Sequence, residues 1–178
     1  VLGHSLDDVE QALREGRSGI VHDPGRAARG FRSALTGALP PYDPAELLTR
    51  RERKPMGEPA RLGAIAALRA LDDAGLHRGA LASDDCGVVV SNDSTSSAAV
   101  EIEREVREAG GTSTLGSGHV IRVMTSSVAT NLSVMLGTRG ACWTVGAGCA
   151  GGTHALGQAA TLIRGGEQRR VLVAGAQE

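Results

Sequence analysis

The stretch from Ala141 to Gly157, ACWTVGAGCAGGTHALG, constrains this chain more than any other. Cys142-Trp143-Thr144-Val145 is apolar and β-prone, Gly146-Ala147-Gly148 interrupts it, and Ala155, Leu156, Ala159, Ala160, Leu162 and Ile163 then recur at helical spacing. The pattern predicts a strand, a tight glycine turn and a helix, with Cys149 at the turn. Small residues on either side keep Cβ atoms out of the bend, so a substrate backbone or thioester can approach the sulfur closely. At the first turn of a helix, unpaired N–H groups and the positive end of the helix dipole favour an anion. A thiol held there is expected to titrate below its free value of about 8.5. A second apolar run, Val171 to Ala174, follows the helix.

Three readings fit these residues. Free cysteine is among the most buried residue types, so Cys149 can be plain core in a strand-to-helix turn. Gly146, Gly148 and Gly151 spell G-x-G-x-x-G, the dinucleotide fingerprint, although its acidic partner belongs about 20 residues on and the acid ending the next strand, Glu178, comes later. The third reading is a nucleophilic cysteine that carries an acyl group as a thioester, with Gly148, Ala150 and Gly151 lining the approach.

A likeness wider than the turn favours the third. The segment from Leu136 to Glu178 resembles the nucleophile region of the β-ketoacyl synthases, the condensing enzymes of fatty acid and polyketide synthesis. In that family a strand G-x-x-x-x-V-x-x-x-C-A-S-G leads into a helix with A-x-G, then I-R-x-G-E and a buried strand ending G-G-A-E. Leu6 to Ile20 is similar to the family's first helix and its G-x-S-G-I ending, Ala64 to Leu76 to its next helix, and Cys86 to Val90 to the following strand. The resemblance implies an α/β, thiolase-like fold, with a mainly parallel sheet flanked by helices on both faces, as one half of a duplicated structure. It also implies that residues 1–178 form the N-terminal half of such a domain, starting after the family's first strand. Val1-Leu2-Gly3 looks like the tail of that opening segment.

What the resemblance implies chemically is specific. Cys149 is the expected catalytic residue; Gly148, Ala150, Gly151 and Ser126 are expected near substrate, Ser126 because Val120 to Gly137 is similar to the family helix beside the acyl pocket and the dimer seam. The expected partners are an acyl carrier protein and a second ketosynthase-like chain, in a homo- or heterodimer; no cofactor or metal is implied. Two departures stand out. Gly151 replaces the serine of the C-x-S-G turn, which keeps a chain-initiating synthase or a thiolase open, and Ser91 to Ser97, SNDSTSS, stands where the family carries glycines. The family's catalytic histidines come from H-G-T and G-H motifs of a second half. H-G-T does not occur here, and His119 is read as a loop residue without a role. His154 lies five residues past Cys149, roughly 140° round a helix from it, and is a poor candidate base.

The remaining chain is consistent with a buried-sheet architecture. With 19 basic against 20 acidic residues there is no field to recruit nucleic acid or a membrane surface, and no apolar run reaches membrane-spanning length. Three cysteines at spacings that match neither a metal site nor a disulfide framework fit a reduced, cytoplasmic setting. One Trp, one Tyr and one Phe leave the core to aliphatic and small residues. Ser5 and Asp8 form a capping box before an amphipathic helix with Leu6, Val9 and Leu13 on its apolar stripe. From Val21 to Pro59 the expectation is mostly irregular, with a turn at His22–Gly25 and a short helix from Ala45 to Thr49. The bases of Arg50 to Lys54 form either a solvated face or a landing site for an acidic carrier protein. A helix between Pro55 and Leu76 is expected to be buried on more than one side. Val88-Val89-Val90 reads as a strand covered on both faces, with Cys86 as core. The serine-rich segment after it lies where open α/β sheets place ligands, or simply caps a helix from Ala98 to Ala109 whose inner face carries Ile102, Val106 and Ala109. A continuous helix is expected from Val120 to Gly137, and Glu178 is expected to be a buried acid with a structural job.

Overall fold

The computed structural model describes residues 2, 3 and 5–178, so Val1 of the opening tripeptide lies outside the described residues. The chain divides into two compact units, residues 1–43 and Pro44–Glu178. In the first unit, Ser5 caps helix α1 (Leu6–Arg14) through the predicted box with Asp8. Its predicted apolar stripe is not the buried one: Leu6 and Leu13 are exposed and Ala12 is buried. The segment expected to be irregular contains a two-stranded antiparallel sheet, β1 (Ile20–His22) paired with β2 (Leu35–Gly37), joined through helix α2 (Pro24–Ala28). The residues read as a turn supply that helix's start, because Asp23 accepts from the Gly25 N–H and Pro24 takes the first helical position.

The second unit is built on β3 (Cys86–Ser91), every residue of which is buried. It lies between β4 (Cys142–Val145) and β5 (Arg170–Gly175), parallel to both, in the order β4-β3-β5. Strand alternation sorts the core. Cys86, Val88 and Val90 of β3 and Leu172 and Ala174 of β5 face α4 (Glu58–Asp73) and α7 (Ser127–Leu136). Val89, Val171 and Val173 face α8 (Gly151–Arg164), through Ala155 and Leu162. The expected sheet with helices on both faces is therefore present, and a continuous valine run is what a doubly covered parallel strand requires. Among the described residues no helix is long and apolar enough to cross a membrane.

Several local expectations are corrected. Helix α4 is buried on one face only, along Ala60, Gly63, Ala64, Ala67 and Leu71, whereas Ala66 and Ala70 are exposed. Small side chains on that face let it lie close to α7: a Cβ at position 63 would stand 3.0 Å from Val128 Cγ1. The short helix expected over Ala45 to Thr49 is a 3-10 turn (Pro44–Glu46), and the cationic run itself forms α3 (Arg50–Arg53), capped by Thr49 with Glu52. Helix α5 (Ser96–Ala109) starts two residues earlier than expected and leaves Ala109 exposed. The continuous helix expected from Val120 is two helices, α6 (Ser117–Val123) and α7, separated where Met124 turns extended. Thr125, Ser126 and Ser127 are poor helix-interior residues, and the carbonyls of Val123 and Thr125 are drawn off by side chains of another segment.

Candidate active site around Cys149

Strand β4 delivers the chain to the carboxyl end of the sheet, where Gly146 and Ala147 lead into a 3-10 turn (Gly148–Ala150) and then into α8. Cys149 occupies the middle of that turn and is exposed, so the reading of it as plain core is overturned. Gly148 has φ +51°, a left-handed conformation that disfavours any side chain and sets the sulfur-bearing residue off the strand axis. Gly148 and Ala150, two of the predicted substrate-binding residues, flank the sulfur directly. Gly151, the third, is buried beneath the turn and begins α8.

The reason position 151 lacks a side chain is visible. A Cβ there would lie 1.9 Å from Ser91 Oγ and 2.9 Å from Ser91 Cβ. Ser91 is the last residue of β3, and its side chain points to the same face as Val89, toward α8. The two departures from the family pattern, a serine after the central valines and a glycine in the cysteine turn, are thus one spatial exchange. The Ser91 side chain occupies the volume that a side chain at 151 would need.

Beyond Ser91 the residues read as a possible ligand loop or helix cap, 92–97, form a network. Asn92, almost fully buried, donates from Nδ2 to the Thr125 carbonyl at 2.8 Å and accepts at Oδ1 from the Ser94 N–H at 3.3 Å. Thr95 Oγ1 donates to the Val123 carbonyl at 2.7 Å. Gln177 Nε2 donates to Asp93 at 2.8 Å, and the Ala176 N–H to the Ser91 carbonyl at 3.1 Å. Glu178 gathers the rest. Its carboxylate accepts from the Ser97 N–H at 3.0 and 3.2 Å, from Ser97 Oγ and Ser96 Oγ at 2.7 Å each, and from Ser94 Oγ at 3.3 Å. Partial desolvation raises the Glu178 carboxyl, but the bonds from Ser97, Ser96 and Ser94 outweigh it and hold the group below its ordinary value. Glu178 is exposed rather than buried, as the sequence had suggested, yet it does the structural job: Thr95, the N-cap residue of α5, makes no side-chain cap bond, and Glu178 supplies the anion instead.

Ser126, the fourth predicted substrate-binding residue, is half-buried at the start of α7, one residue after the carbonyl that Asn92 holds. His154 is exposed on α8; His119, read as a loop residue, instead lies in the first turn of α6, where its Nδ1 accepts from the Gly116 N–H at 3.0 Å and its Nε2 lies 3.4 Å from Glu105, so neither belongs to the site. Cys86 is buried, and burial and then the hydrogen bond to Asp85 push its thiol up, which fits a core residue. Among the described residues no cluster of His, Cys, Asp or Glu could hold a metal ion. Sequence reasoning singled out Ser91 to Ser97 and Glu178 but missed their partners, Gly151 for Ser91, the α6–α7 carbonyls for Asn92 and Thr95, and the loop serines for Glu178; the signal was the density of short polar side chains after a buried strand.

The model of the β-ketoacyl synthase N-terminal domain matches residues 1–178. Over 99% of its length the chain is 30% identical to 3-oxoacyl-(acyl-carrier-protein) synthase 1 of Haemophilus influenzae, covering 44% of that protein. It is 27% identical to synthase 2 of Vibrio harveyi, covering 43% of it. Among solved structures, a β-ketoacyl synthase from Burkholderia phymatum superposes with a TM-score of 0.81 at 27% identity, over 94% of this chain and 41% of that one. The ishigamide ketosynthase/chain length factor gives 0.79 at 23% identity, over 94% and 42%, a likeness of fold alone. The chain spans less than half the length of each of these proteins. With the strand, cysteine turn and helix in the predicted order on a thiolase-like sheet, and a family match along the whole sequence, the chain belongs to the β-ketoacyl synthase family and corresponds to its N-terminal domain.

Proposed function

We propose that this chain is the cysteine-bearing half of a condensing enzyme of fatty acid or polyketide synthesis. The observation that carries the reading is the exposure of Cys149 on a glycine turn at the carboxyl end of a parallel sheet. The Cys149 thiolate attacks the carbonyl of an acyl thioester on a carrier protein, the carrier thiol leaves with a proton, and the acyl chain stays on Sγ. Loss of CO2 from a malonyl thioester then generates a carbon nucleophile that attacks the acyl-enzyme. The new C–C bond forms as the C–S bond to Cys149 breaks, and the thiolate is regenerated. In this reading the Cys149 N–H stabilises the oxyanion, an effect usually worth about 3–4 kcal/mol per donor.

The groups that promote decarboxylation belong, in this reading, to a second structural half. Leu156 and Ile163 are exposed along the outer side of α8, and apolar side chains of this size in a row call for a cover. The dimer falls to β4, an edge strand among the described residues, on which Trp143 is 44% exposed. The carrier falls to α3, where Arg50, Arg51 and Lys54 are exposed and the one acid, Glu52, is already bound by Arg78 at 2.8 Å.

Incubation of the full-length protein with an acyl thioester, followed by intact and peptide mass spectrometry, tests the reading. An acyl adduct on the Cys149 peptide, absent from Cys149→Ala, is expected. No adduct together with saturable NAD binding would overturn it in favour of the dinucleotide alternative.

A further inference from the structure

The serine-rich loop and Glu178 belong to one device that acts at a distance from the sulfur. Glu178 ends the β5 segment and holds Ser94, Ser96 and Ser97 on the other side of the loop. That loop reaches away from Glu178 with two further side chains, and each takes hold of a carbonyl at the break between α6 and α7: Thr95 at Val123 and Asn92 at Thr125. The break carries two backbone bonds of its own, from the Met124 N–H to the Ile121 carbonyl at 3.3 Å and from the Ser127 N–H to the Met124 carbonyl at 2.9 Å, and neither uses the carbonyls of Val123 or Thr125. Met124 is extended, Ser126 makes no cap bond with its side chain, and Val123, Met124 and Thr125 are all exposed. The carbonyls on either side of Met124 are thus held from the loop, and the loop is tied in turn to the chain after β5 by the Glu178 carboxylate and by Gln177, which donates to Asp93 at 2.8 Å.

We infer that Glu178 is a positioning residue that sets the α6–α7 break, and with it Ser126, through the loop of residues 92–97. On the acyl-transfer reading above, this makes Glu178 a determinant of which acyl chains the site accepts, although it touches neither the sulfur nor the substrate. A carboxylate suits the task because it accepts several hydrogen bonds at once and is itself favoured by the amino end of α5. The serines that bind it stand where the family carries glycines, so the anchoring is a property of this chain's own loop.

Two measurements on the full-length protein decide the matter. Hydrogen exchange in Glu178→Ala is expected to quicken roughly tenfold both in residues 93–98 and in residues 123–127, the scale of losing a helix cap. Quickening confined to 93–98 would overturn the coupling. Acyl loading of Cys149 across donors of different chain length is expected to show KM raised on the order of tenfold to a hundredfold for the preferred donor. The maximal loading rate and the iodoacetamide reactivity of Cys149 should stay near wild type, and Glu178→Gln, which keeps one acceptor oxygen, should recover part of the loss. An unchanged chain-length profile in a variant whose wild type loads normally would sink the positioning role alone. Failure of the wild type to load would sink the acyl-transfer reading, and the role of Glu178 in substrate choice with it.

Discussion

Replacing Gly151 with serine puts a Cβ atom 1.9 Å from Ser91 Oγ and 2.9 Å from Ser91 Cβ. Rotating the Ser91 hydroxyl relieves the first clash but not the second, because the Ser91 Cβ is fixed by the backbone of β3. That strand is fully buried and hydrogen-bonded on both sides, so it cannot drift away from α8 without straining β4 or β5. Overpacking of this kind costs about 1–3 kcal/mol. Removing the obstruction with Ser91→Gly should return most of that, less about 0.5–1 kcal/mol for a glycine in a strand interior. A double-mutant cycle on the full-length protein, read by urea denaturation, is therefore expected to give a coupling energy of about 1 kcal/mol or more between the two positions. The alkylation rate of Cys149 by iodoacetamide should fall in Gly151→Ser and recover in the double variant, since the same clash tilts the first turn of α8 on which the sulfur depends. A neutral Gly151→Ser, or a clash that Ser91→Gly fails to relieve, would refute the idea that the two positions share one volume.

Cys86 should resist iodoacetamide at pH 8 under conditions that label Cys149, because it is buried and its thiol is pushed up by burial and by Asp85; labelling of its peptide at a comparable rate would contradict this. The Glu178 carboxyl is held below its ordinary value of 4.5, so its contribution to stability is fully present above that value and is lost as pH falls through the depressed one. Acid titration should thus release residues 93–98, followed by hydrogen exchange, at a pH below 4.5 in wild type and show no such step in Glu178→Ala. Gly63→Leu should destabilise by roughly 1–3 kcal/mol or more, since a Cβ there already meets Val128 at 3.0 Å, whereas Gly152→Ala, with open space around it, should be near neutral in thermal unfolding.

Where the sequence was read correctly, the signal was local. A capping box needs only Ser5 and Asp8 three residues apart, and both bonds form. The valines of β3 announce a doubly covered strand because burial on both faces removes the alternation a half-exposed strand would show. The cysteine turn is legible because its signal is local too: Gly148 supplies the left-handed backbone that the bend after β4 requires, at φ +51° with open space around it. Misreadings arose where distant groups intervene. The run from Val120 has helical periodicity throughout, and nothing within it reveals that Asn92 and Thr95 hold two of its carbonyls and open a break. Leu6 and Leu13 form a proper apolar stripe, yet in the described chain it is Ala12 that is buried.

By itself, then, the order of residues determined the buried strand β3, the strand, turn and helix around Cys149 and the place of that cysteine at a glycine corner, because each of these follows from backbone freedom and hydrophobic period over a few neighbouring positions. Only the tertiary structure decided that Ser91 and Gly151 exchange volume, sixty positions apart in the chain. The same holds for Glu178, which caps a helix that begins 82 residues before it. Such partners meet through packing of the folded sheet, and pairwise distance across a core leaves no period in the sequence to be read.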